Sequence, residues 1–324
     1  MRLGVIGGGA WGTALAQVAA ESGDPVWLWA REAEVVASIN ASHQNLLFLP
    51  DIPLSPAIHA TSDFDALSAC EALLIVTPAQ HMRAVLGSAN VGNRPIILCA
   101  KGIEAGTQRL MSEVAEDVCP DAPIAVLSGP TFAGEVARRL PTAITLACAD
   151  VGLGQRLATR LAQPHFRPYA STDVIGAEIG GAVKNVLAIA CGVVDGRGLG
   201  QNARAALIAR GFAEMTRFGL ARGAQAETLG GLSGLGDLVL TCSSTQSRNF
   251  TLGKGLGEGR VAVELLAGRT VAEGAFTAPV LQLAARAAGV DMPVIDAVCA
   301  LLAGESDVDA VVGALLARPL RSEG

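Results

Sequence analysis

Lysine is scarce in this chain of 324 residues, where only three of the 24 basic residues are lysine and the others are arginine. Such a bias usually reflects the base composition of a genome. Where arginine serves for any fixed positive charge, however, a remaining lysine can mark a position that needs an amine able to give up its proton, which a guanidinium cannot do. Lys101 and Lys184 are therefore candidate catalytic groups, whereas Lys254, between two glycines, is interpreted as a solvated loop charge.

The chain also lacks the spacings that hold metals or disulfides. Its seven cysteines are odd in number and include no CxxC pair, and its four histidines include no HxxxH or HExxH spacing. These absences predict neither a metal site nor a disulfide framework, and they favour a reducing, cytoplasmic location. A strand-like apolar run begins at Leu3, so we expect no export signal.

Positive charge is in deficit as well, since the formal net charge is -6. A negative field excludes a general binder of nucleic acid or of anionic membrane surfaces. With 51% hydrophobic and 17% charged residues, the chain is expected to be globular rather than disordered. Apolar runs such as residues 186–190 are too short for membrane insertion.

Strand-like and helical segments alternate through the first half of the chain. The strand-like runs are 3–6, 26–30, 73–76, 96–99, 124–127, 143–147 and 166–169, and the helical segments between them are 13–21, 32–40, 81–86 and 107–118. Alternation predicts an α/β fold with a mostly parallel sheet and helices on both of its faces. The later segments are all helical: 176–194, 203–220, 261–266, 278–288, 294–302 and 308–316. We therefore expect an α/β domain over residues 1–172 and an all-helical domain over residues 173–324.

A glycine-rich turn joins the first strand to the first helix. Gly7, Gly9 and Gly12 form a GxGxxG pattern there, which favours dinucleotide binding over a turn that serves packing alone. Gly7 permits the tight turn, Gly9 lets the backbone approach a pyrophosphate, and Gly12 allows the helix to pack closely on the strand. Backbone amides at the N-terminus of the helix then hold the anion.

The second strand ends at Trp29-Ala30-Arg31-Glu32, where a carboxylate often binds the 2′-hydroxyl of an adenosine ribose. Arg31 indicates a 2′-phosphate instead. Glu32 beside it opposes that interpretation, and a solvated arginine at a helix start is the competing one. The sequence predicts NADPH or NADH as the cofactor, with NADPH preferred.

Three short loops of small and polar residues leave consecutive strands. They are Thr77-Pro78, residues 101–104 (KGIE) and residues 128–133 (SGPTFA). Ligands of open α/β sheets bind beyond the carboxyl ends of the strands, so the three loops predict one pocket.

Two adjacent glycines precede a lysine in the helical segment 176–194. Gly180 and Gly181 lie four and three residues before Lys184, on one face of the helix. Glycine inside a helix costs about 1 kcal/mol relative to alanine, so the pair indicates close approach by a ligand ring or another backbone. Tight helix packing, with a lysine that reaches towards solvent, is the alternative.

A second polar cluster lies further along the chain. Asp237 sits in the glycine-rich segment GLGDL, and Ser247-Arg248-Asn249 follows it. Arg248 can bind a phosphate through two parallel hydrogen bonds, with Asn249 donating beside it. A helix capped by Ser247, with Arg248 exposed to solvent, is the competing interpretation.

Taken together, these motifs resemble the bacterial NAD(P)-dependent glycerol-3-phosphate dehydrogenases, in the same order and over nearly the whole chain. The motifs are GGGAWGTALA, KGIE, SGPTFAGEVA, EIGGAVKNVLAIACG, LSGLGDLVLTC, SRNF and VAEG. The resemblance implies an N-terminal Rossmann domain, a helical C-terminal domain, and NAD(P)H-dependent interconversion of dihydroxyacetone phosphate with sn-glycerol 3-phosphate for glycerophospholipid synthesis. Gly134 departs from the pattern, since many relatives carry lysine there, which puts a local charge contribution to substrate attraction in doubt.

By matching motifs, the resemblance makes Lys184 the catalytic acid/base, with Asp237 and Lys101 beside it. The substrate-binding residues that it implies are Lys101, Gly129, Thr131, Lys184, Asn185, Asp237, Thr241, Ser247, Arg248 and Asn249. The cofactor-binding residues that it implies are Gly7, Gly9, Ala10, Trp11, Gly12, Arg31, Lys101, Ala133, Arg248, Val271 and Glu273.

Reduction of a ketone by hydride needs a positive group at the developing alkoxide and a proton for it, and the ammonium of Lys184 can supply both. For the reverse reaction, the pKa of Lys184 should fall below its reference of about 10.4. Burial and Lys101 lower this pKa while Asp237 raises it, and we expect a net lowering.

Two other functions remain open at the level of sequence. One is a related dehydrogenase of a β-hydroxyacid or of a ketoacid such as ketopantoate, although such a substrate gives no reason for the segment 234–250. The other is a protein that binds NADPH without turnover, against which Lys184, Asp237 and Arg248 argue. Apolar helix faces in the second domain leave a homodimer open.

Overall fold

A single eight-stranded sheet organises the first half of the protein, whose computed structural model describes residues 1–267 and 272–317. Its strands are β1 (Leu3–Ile6), β2 (Val26–Trp29), β3 (Ile58–Thr61), β4 (Ala72–Ile75), β5 (Ile96–Leu98), β6 (Ile124–Ser128), β7 (Thr142–Cys148) and β8 (Phe166–Ser171). Their order is β3-β2-β1-β4-β5-β6-β7-β8. Neighbouring strands are parallel except for β6 and β7. The predicted Rossmann-type, mostly parallel sheet is confirmed.

Helices cover both faces of this sheet. They are α1 (Ala10–Ala20), α2 (Ala33–Ser42), α3 (Met82–Ser88), α4 (Met111–Val118), α5 (Ala133–Ala137) and α6 (Val151–Leu161). Side chains of β4 alternate between the two faces: Leu74 joins the core that includes residues of α1 and α6, and Leu73 joins the core that includes residues of α3 and α4. Burial on both faces is the reason why the strands are continuous apolar runs.

The second half of the described chain is helical. Its helices are α7 (Val174–Gly196), α8 (Gly200–Ala221), α9 (Ala226–Leu229), α10 (Asp237–Thr241), α11 (Arg248–Gly257), α12 (Ala262–Leu266), α13 (Glu273–Ala287), α14 (Pro293–Ala303) and α15 (Val308–Leu316). A short π-helical segment, Leu232–Gly236, leads into α10. The all-helical character predicted after Ser171 is therefore confirmed.

Helix α7 lies at the centre of this half, where it packs against α8, α10, α11 and α13 and also contacts β6. By length and composition alone it could cross a membrane, but 89% of its most apolar window is buried inside the protein. Burial of this extent is that of a core helix, and it places any polar side chain of α7 in a dry environment.

Six of these strands and helices were not predicted: β3, α5, α6, α9, α10 and α11. Strand β3 is only four residues long and carries a polar His59 between its buried positions, which hides the apolar run. Helix α6 contains two glycines, and helix α11 contains three. In α11 they serve packing, because a Cβ added at Gly253 would lie 1.9 Å from the carbonyl oxygen of Ile189 on α7. The interpretation of Lys254 as a loop charge is wrong: it lies in α11, and its amine is 3.1 Å from Asp195.

Candidate active site

Two lysines from different parts of the fold meet on one buried aspartate. The amine of Lys184, in the middle of α7, is 3.0 Å from Oδ1 of Asp237, and the amine of Lys101, in the loop after β5, is 2.7 Å from Oδ2. Asp237 is the first residue of α10 and is fully buried. Each carboxylate oxygen therefore accepts a hydrogen bond from a different ammonium group. The structure thus brings together the three residues predicted to be catalytic.

Thr241 completes the surroundings of the Lys184 amine. Its hydroxyl lies one turn after Asp237 on α10, accepts a hydrogen bond from Lys184 at 2.8 Å and donates to Oδ1 of Asp237 at 3.3 Å. The hydrogen bonds of the Lys184 amine to Asp237 and to Thr241 hold it in one position. An ammonium group has three protons, so one of them remains for a substrate oxygen.

Burial and neighbouring charges set the protonation of this cluster. Burial lowers the pKa of Lys184 to about 8; Asp237 opposes that shift, and the positive charge of Lys101 adds to it. For Asp237, burial alone would raise the pKa, but the two ammonium groups outweigh it and hold the pKa below its usual value. Lys184 is therefore the group that can exchange a proton near neutral pH, while Asp237 stays ionised.

Close approach by another backbone explains one of the paired glycines of α7. A Cβ added at Gly180 would lie 2.3 Å from the carbonyl oxygen of Ser233, in the π-helical segment that leads to Asp237. A Cβ at Gly181 would lie 3.2 Å from Cγ of Lys101. The small residues thus let the segments that carry Asp237 and Lys101 approach the helix that carries Lys184.

The loop that carries Lys101 is anchored by hydrogen bonds of Glu104, a residue that sequence reasoning did not select as a site residue. Glu104, the last residue of KGIE, accepts hydrogen bonds from Nε and Nη2 of Arg83 at 2.8 and 2.9 Å. The hydroxyl of Thr107 donates to it at 2.6 Å. The pKa of Glu104 lies below its usual value, chiefly because of the Arg83 guanidinium. The signal for Glu104 in the sequence was its position in a loop at the carboxyl edge of the sheet.

The loop after β6 forms another wall of the site. The carbonyl oxygen of Gly129 accepts a hydrogen bond from Lys101 at 3.2 Å and another from the Thr131 hydroxyl at 3.3 Å. Ala133 begins α5 immediately afterwards. The predicted residues of this loop thus lie next to the lysine cluster and along the same edge of the sheet.

Ser247, Arg248 and Asn249 lie at the start of α11. Ser247 caps the helix by accepting a hydrogen bond from the backbone N–H of Phe250 at 3.2 Å. The side chain of Arg248 is exposed and makes no hydrogen bond among residues 1–267 and 272–317. The competing interpretation, a helix capped by Ser247 with Arg248 exposed to solvent, therefore describes the structure. The same arrangement leaves the whole guanidinium of Arg248 available to a ligand.

Asn249 links three helices of the site. Its amide nitrogen donates to Oδ1 of Asn185 on α7 at 3.0 Å, and its Oδ1 accepts from the backbone of Gly274 on α13 at 2.9 Å. Glu273 begins α13 and is half-buried. Burial raises the pKa of Glu273, although the charges of Arg248, Lys184 and Lys101 act against that shift. Val271, predicted to contact the cofactor, lies outside the described residues.

The glycine-rich turn has the features of a pyrophosphate cradle. A Cβ at Gly12 would lie 1.8 Å from the carbonyl oxygen of Gly7, whereas a Cβ at Gly9 would meet no atom within 4 Å. Gly12 is therefore required for packing, and Gly9 faces open space at the start of α1, which Ala10 begins. The indole nitrogen of Trp11 is buried and has no hydrogen-bond partner in the described part of the chain. Open space at Gly9, at the first amides of a helix, fits a bound anionic cofactor.

A buried asparagine, not selected from the sequence, braces this turn. The amide nitrogen of Asn45 donates to the carbonyl oxygen of Gly8 at 2.9 Å and to the Thr13 hydroxyl at 2.8 Å. Asn45 has no exposed surface. No motif marks it in the sequence, because its role depends on contacts with residues more than 30 positions away.

Arg31 and Glu32 lie at the end of β2, beside the glycine turn. The guanidinium of Arg31 donates from Nε and Nη2 to Oε1 of Glu32 at 3.2 and 2.9 Å. The Arg31 side chain is 76% exposed, so this pair is open to exchange for a stronger anion. Arg31 therefore lies at the cofactor end of the sheet edge, with its own counter-ion beside it.

Comparisons with known proteins cover the whole site. Residues 2–153 match the family model of the NAD-dependent glycerol-3-phosphate dehydrogenase N-terminus, and residues 173–313 match the model of its C-terminus. The chain is 63% identical over 322 residues to glycerol-3-phosphate dehydrogenase (NAD(P)+) 1 of Sphingopyxis alaskensis, over 99% of this chain and 98% of that protein. It is 65% identical over 322 residues to the glycerol-3-phosphate dehydrogenase (NAD(P)+) of Erythrobacter litoralis, over 99% and 97% of the two chains. A crystal structure of glycerol-3-phosphate dehydrogenase from Coxiella burnetii is similar with a TM-score of 0.93 at 39% identity, over 98% of this chain and 99% of that one.

Proposed function

Because the chain belongs to the NAD-dependent glycerol-3-phosphate dehydrogenase family, we propose that Lys184 is the acid and base of its reaction. The protein is an NAD(P)-dependent oxidoreductase that reduces dihydroxyacetone phosphate to glycerol 3-phosphate. The observation that carries the proposal is the buried Asp237 carboxylate, which accepts hydrogen bonds from Lys184 and Lys101 on its two oxygens.

Lys184 acts on the oxygen atom of the substrate ketone. When bound, the reduced nicotinamide supplies the hydride for the carbonyl carbon. As an ammonium group, Lys184 stabilises the negative charge that develops on the oxygen and donates the proton that completes the alcohol. In the oxidation of glycerol 3-phosphate, neutral Lys184 removes the hydroxyl proton, which a pKa of about 8 permits. Asp237 and Thr241 keep the amine in place in both directions.

Lys101 has two roles in this proposal. Its ammonium lowers the pKa of Lys184 by electrostatic repulsion, and it contributes positive charge at the end of β5, where the polar part of the substrate is expected. The backbone of Gly129 and the hydroxyl of Thr131 form the adjoining wall. Asn185 follows Lys184 on α7, and its Oδ1 accepts a hydrogen bond from Asn249, which places it beside the start of α11.

The substrate phosphate binds at the start of α11. Arg248 offers its unengaged guanidinium for two parallel hydrogen bonds. Ser247 and Asn249 lie on either side of it and add a hydroxyl and the second amide proton of Asn249. Phosphate binding away from the reacting carbon provides energy that orients the ketone.

The cofactor occupies the carboxyl edge of the sheet. Gly7, Gly9 and Ala10 line the turn for the pyrophosphate, and the indole of Trp11 provides a donor beside it. Arg31 binds the adenosine 2′-phosphate, so NADPH is preferred over NADH. Ala133 and Glu273 contact the cofactor from the substrate side.

Family membership decides against a ketoacid dehydrogenase and against a protein that binds NADPH without turnover. The test compares the rates of NADPH oxidation with dihydroxyacetone phosphate, with unphosphorylated dihydroxyacetone and with ketopantoate. Fast oxidation is expected with the phosphorylated triose alone. Equal rates with ketopantoate would contradict the assignment of substrate.

Residues 1–172 form the cofactor domain and residues 173–324 the substrate domain in this proposal. The enzyme acts in the cytoplasm and supplies glycerophospholipid synthesis. Exposed apolar side chains in the helical half, such as Phe276 and Leu283, provide a surface for a homodimer. Light scattering of the purified protein tests the dimer, since a monomeric mass at micromolar concentration contradicts it.

A further inference from the structure

We propose that the hydroxyl of Thr77 is a direct hydrogen-bonding contact for the nicotinamide nucleoside half of the cofactor. The inference rests on the cofactor site proposed above and adds to it a residue from the Thr77-Pro78 loop, to which no role has yet been given.

The first observation is an unpaired polar group in a buried place. The side chain of Thr77 is among the buried ones, with 6% of the residue exposed. Its Oγ1 atom has no hydrogen-bond partner among the residues that the structure describes. A buried hydroxyl without a partner is unfavourable, and most such groups in native proteins are satisfied. A ligand that reaches the Thr77 hydroxyl can therefore accept a hydrogen bond from it or donate one to it.

The second observation is the position of Thr77 along the sheet. Strand β4 lies between β1 and β5, and Thr77 follows β4 at its carboxyl end. On the β1 side, a Cβ added at Gly7 would lie 3.3 Å from the backbone nitrogen of Thr77. On the other side, Lys101 follows β5. Thr77 thus lies between the glycine-rich turn and the lysine cluster.

The chemistry of the cofactor connects these two ends. The pyrophosphate is held at the glycine-rich turn after β1, and the nicotinamide ring has to reach the substrate carbon near Lys184. The nucleoside between them passes the end of β4. Its ribose hydroxyls and its carboxamide both donate and accept hydrogen bonds, as the Thr77 hydroxyl does.

Local rigidity makes Thr77 suitable for this contact. The residue before a proline is restricted to extended backbone conformations, and a β-branched side chain has few χ1 rotamers. The hydroxyl is therefore held in place before the cofactor binds, which reduces the entropy cost of the contact.

The test is the substitution Thr77→Val, which removes the hydroxyl and keeps the shape of the side chain. Thr216→Val is the matched control, because the Thr216 hydroxyl donates to the carbonyl oxygen of Phe212 within α8, away from the sheet edge. Titration calorimetry measures the Kd of NADH, ADP-ribose and ADP for the wild-type protein and both variants without substrate. Thermal unfolding of the same proteins without cofactor is recorded in parallel.

For Thr77→Val, we expect the Kd of NADH to rise about three- to tenfold and the Kd of ADP to stay unchanged. The Tm without cofactor should not fall, because the lost hydroxyl had no partner. The Thr216→Val control should bind all three ligands as the wild type does. A raised Kd for ADP-ribose as well assigns the contact to the ribose, and an unchanged one assigns it to the nicotinamide ring.

An unchanged Kd of NADH in Thr77→Val overturns the inference, and so does an equal loss of affinity for ADP. Failure of the wild-type protein to bind both NADH and NADPH would instead refute the cofactor site itself, so the two failures are distinguishable.

Discussion

Lys184 and Asp237 form an ion pair of 3.0 Å inside the protein, although 53 positions separate them in the chain. Asp237 is fully buried, and Lys184 is 7% exposed. A charged pair in this environment is retained at a considerable desolvation cost, which a purely structural role would not require. In the proposed mechanism, the remaining proton of the amine and its lowered pKa give the pair its chemical use.

Replacement of Lys184 by arginine keeps a positive charge but removes the exchangeable proton. We expect kcat for dihydroxyacetone phosphate reduction to fall about 10²- to 10⁴-fold, while the Kd of NADPH remains close to that of the wild type. Stopped-flow turnover and fluorescence titration measure the two quantities. A variant with nearly normal kcat would rule out the acid/base assignment.

The pH dependence of the reverse reaction reports the same amine. Neutral Lys184 is the base in the proposed mechanism, so kcat/KM for glycerol 3-phosphate oxidation should rise with pH and level off above a pKa of about 8. The variant Lys101→Met removes a charge that lowers this pKa, so the midpoint of its residual activity should move to higher pH. Lys254→Met is the control, since that amine, in α11, pairs with Asp195 near the end of α7 and should leave the midpoint in place. A flat profile between pH 7 and 9 would contradict the proposal.

Arg248 should contribute to phosphate binding alone. In Arg248→Ala, KM for dihydroxyacetone phosphate is expected to rise about 10- to 100-fold, the usual size of a lost charge-assisted hydrogen bond. The weak activity on unphosphorylated dihydroxyacetone should change little, and it serves as the internal control. Equal losses on both substrates would show that Arg248 acts on something other than the phosphate.

Arg31 and Glu32 together should set the choice of cofactor. Arg31→Gln is expected to lower kcat/KM for NADPH about tenfold and to affect NADH much less. Glu32→Gln removes the carboxylate that pairs with Arg31 at 2.9 Å, so the ratio of kcat/KM for NADPH over NADH should increase. Steady-state kinetics with both cofactors give these ratios. A wild-type preference for NADH would reject the role of Arg31.

Glu178 links stability to pH through a contact next to the site. It lies on α7 and accepts hydrogen bonds from the backbone N–H and the hydroxyl of Ser112, at 2.8 and 2.6 Å. Burial raises its pKa from 4.5 to about 7. The stability that the protonated acid contributes is complete below the unfolded pKa and is lost as the pH rises from about 4.5 to about 7.

The variant Glu178→Gln does not ionise: its amide oxygen can accept from the backbone N–H of Ser112, and its amide nitrogen can donate to the Ser112 hydroxyl, as the protonated acid does. The free energy of unfolding of the wild type relative to this variant should therefore fall by about 3 kcal/mol between pH 4.5 and pH 8. Denaturant unfolding at both pH values measures the difference, with the exposed Glu227→Gln as control. Parallel pH dependence of wild type and Glu178→Gln would show that folding does not raise the pKa of this acid.

The sequence by itself determined the elements whose signals are local. Gly7, Gly9 and Gly12 between an apolar run and a helix predicted the cofactor turn, and the alternation of apolar runs predicted the sheet. Local signals failed where glycine had another use. Helix α11 was weighed only as an alternative, because it contains three glycines: Gly253 and Gly257 serve its packing against α7, and Gly255 faces Leu265 of α12.

Only the tertiary structure decided the environment of each charged group. Sequence reasoning selected Lys101, Lys184 and Asp237, but it could not show that both amines share one carboxylate or that Arg31 already has a counter-ion in Glu32. Nor could it show that polar atoms of Thr77 and Trp11 have no partner in the part of the chain that the structure describes. The reason is physical. A pKa, an ion pair and an unsatisfied hydrogen bond depend on burial and on atoms brought together across the fold, and neither is a property of neighbouring residues in the chain.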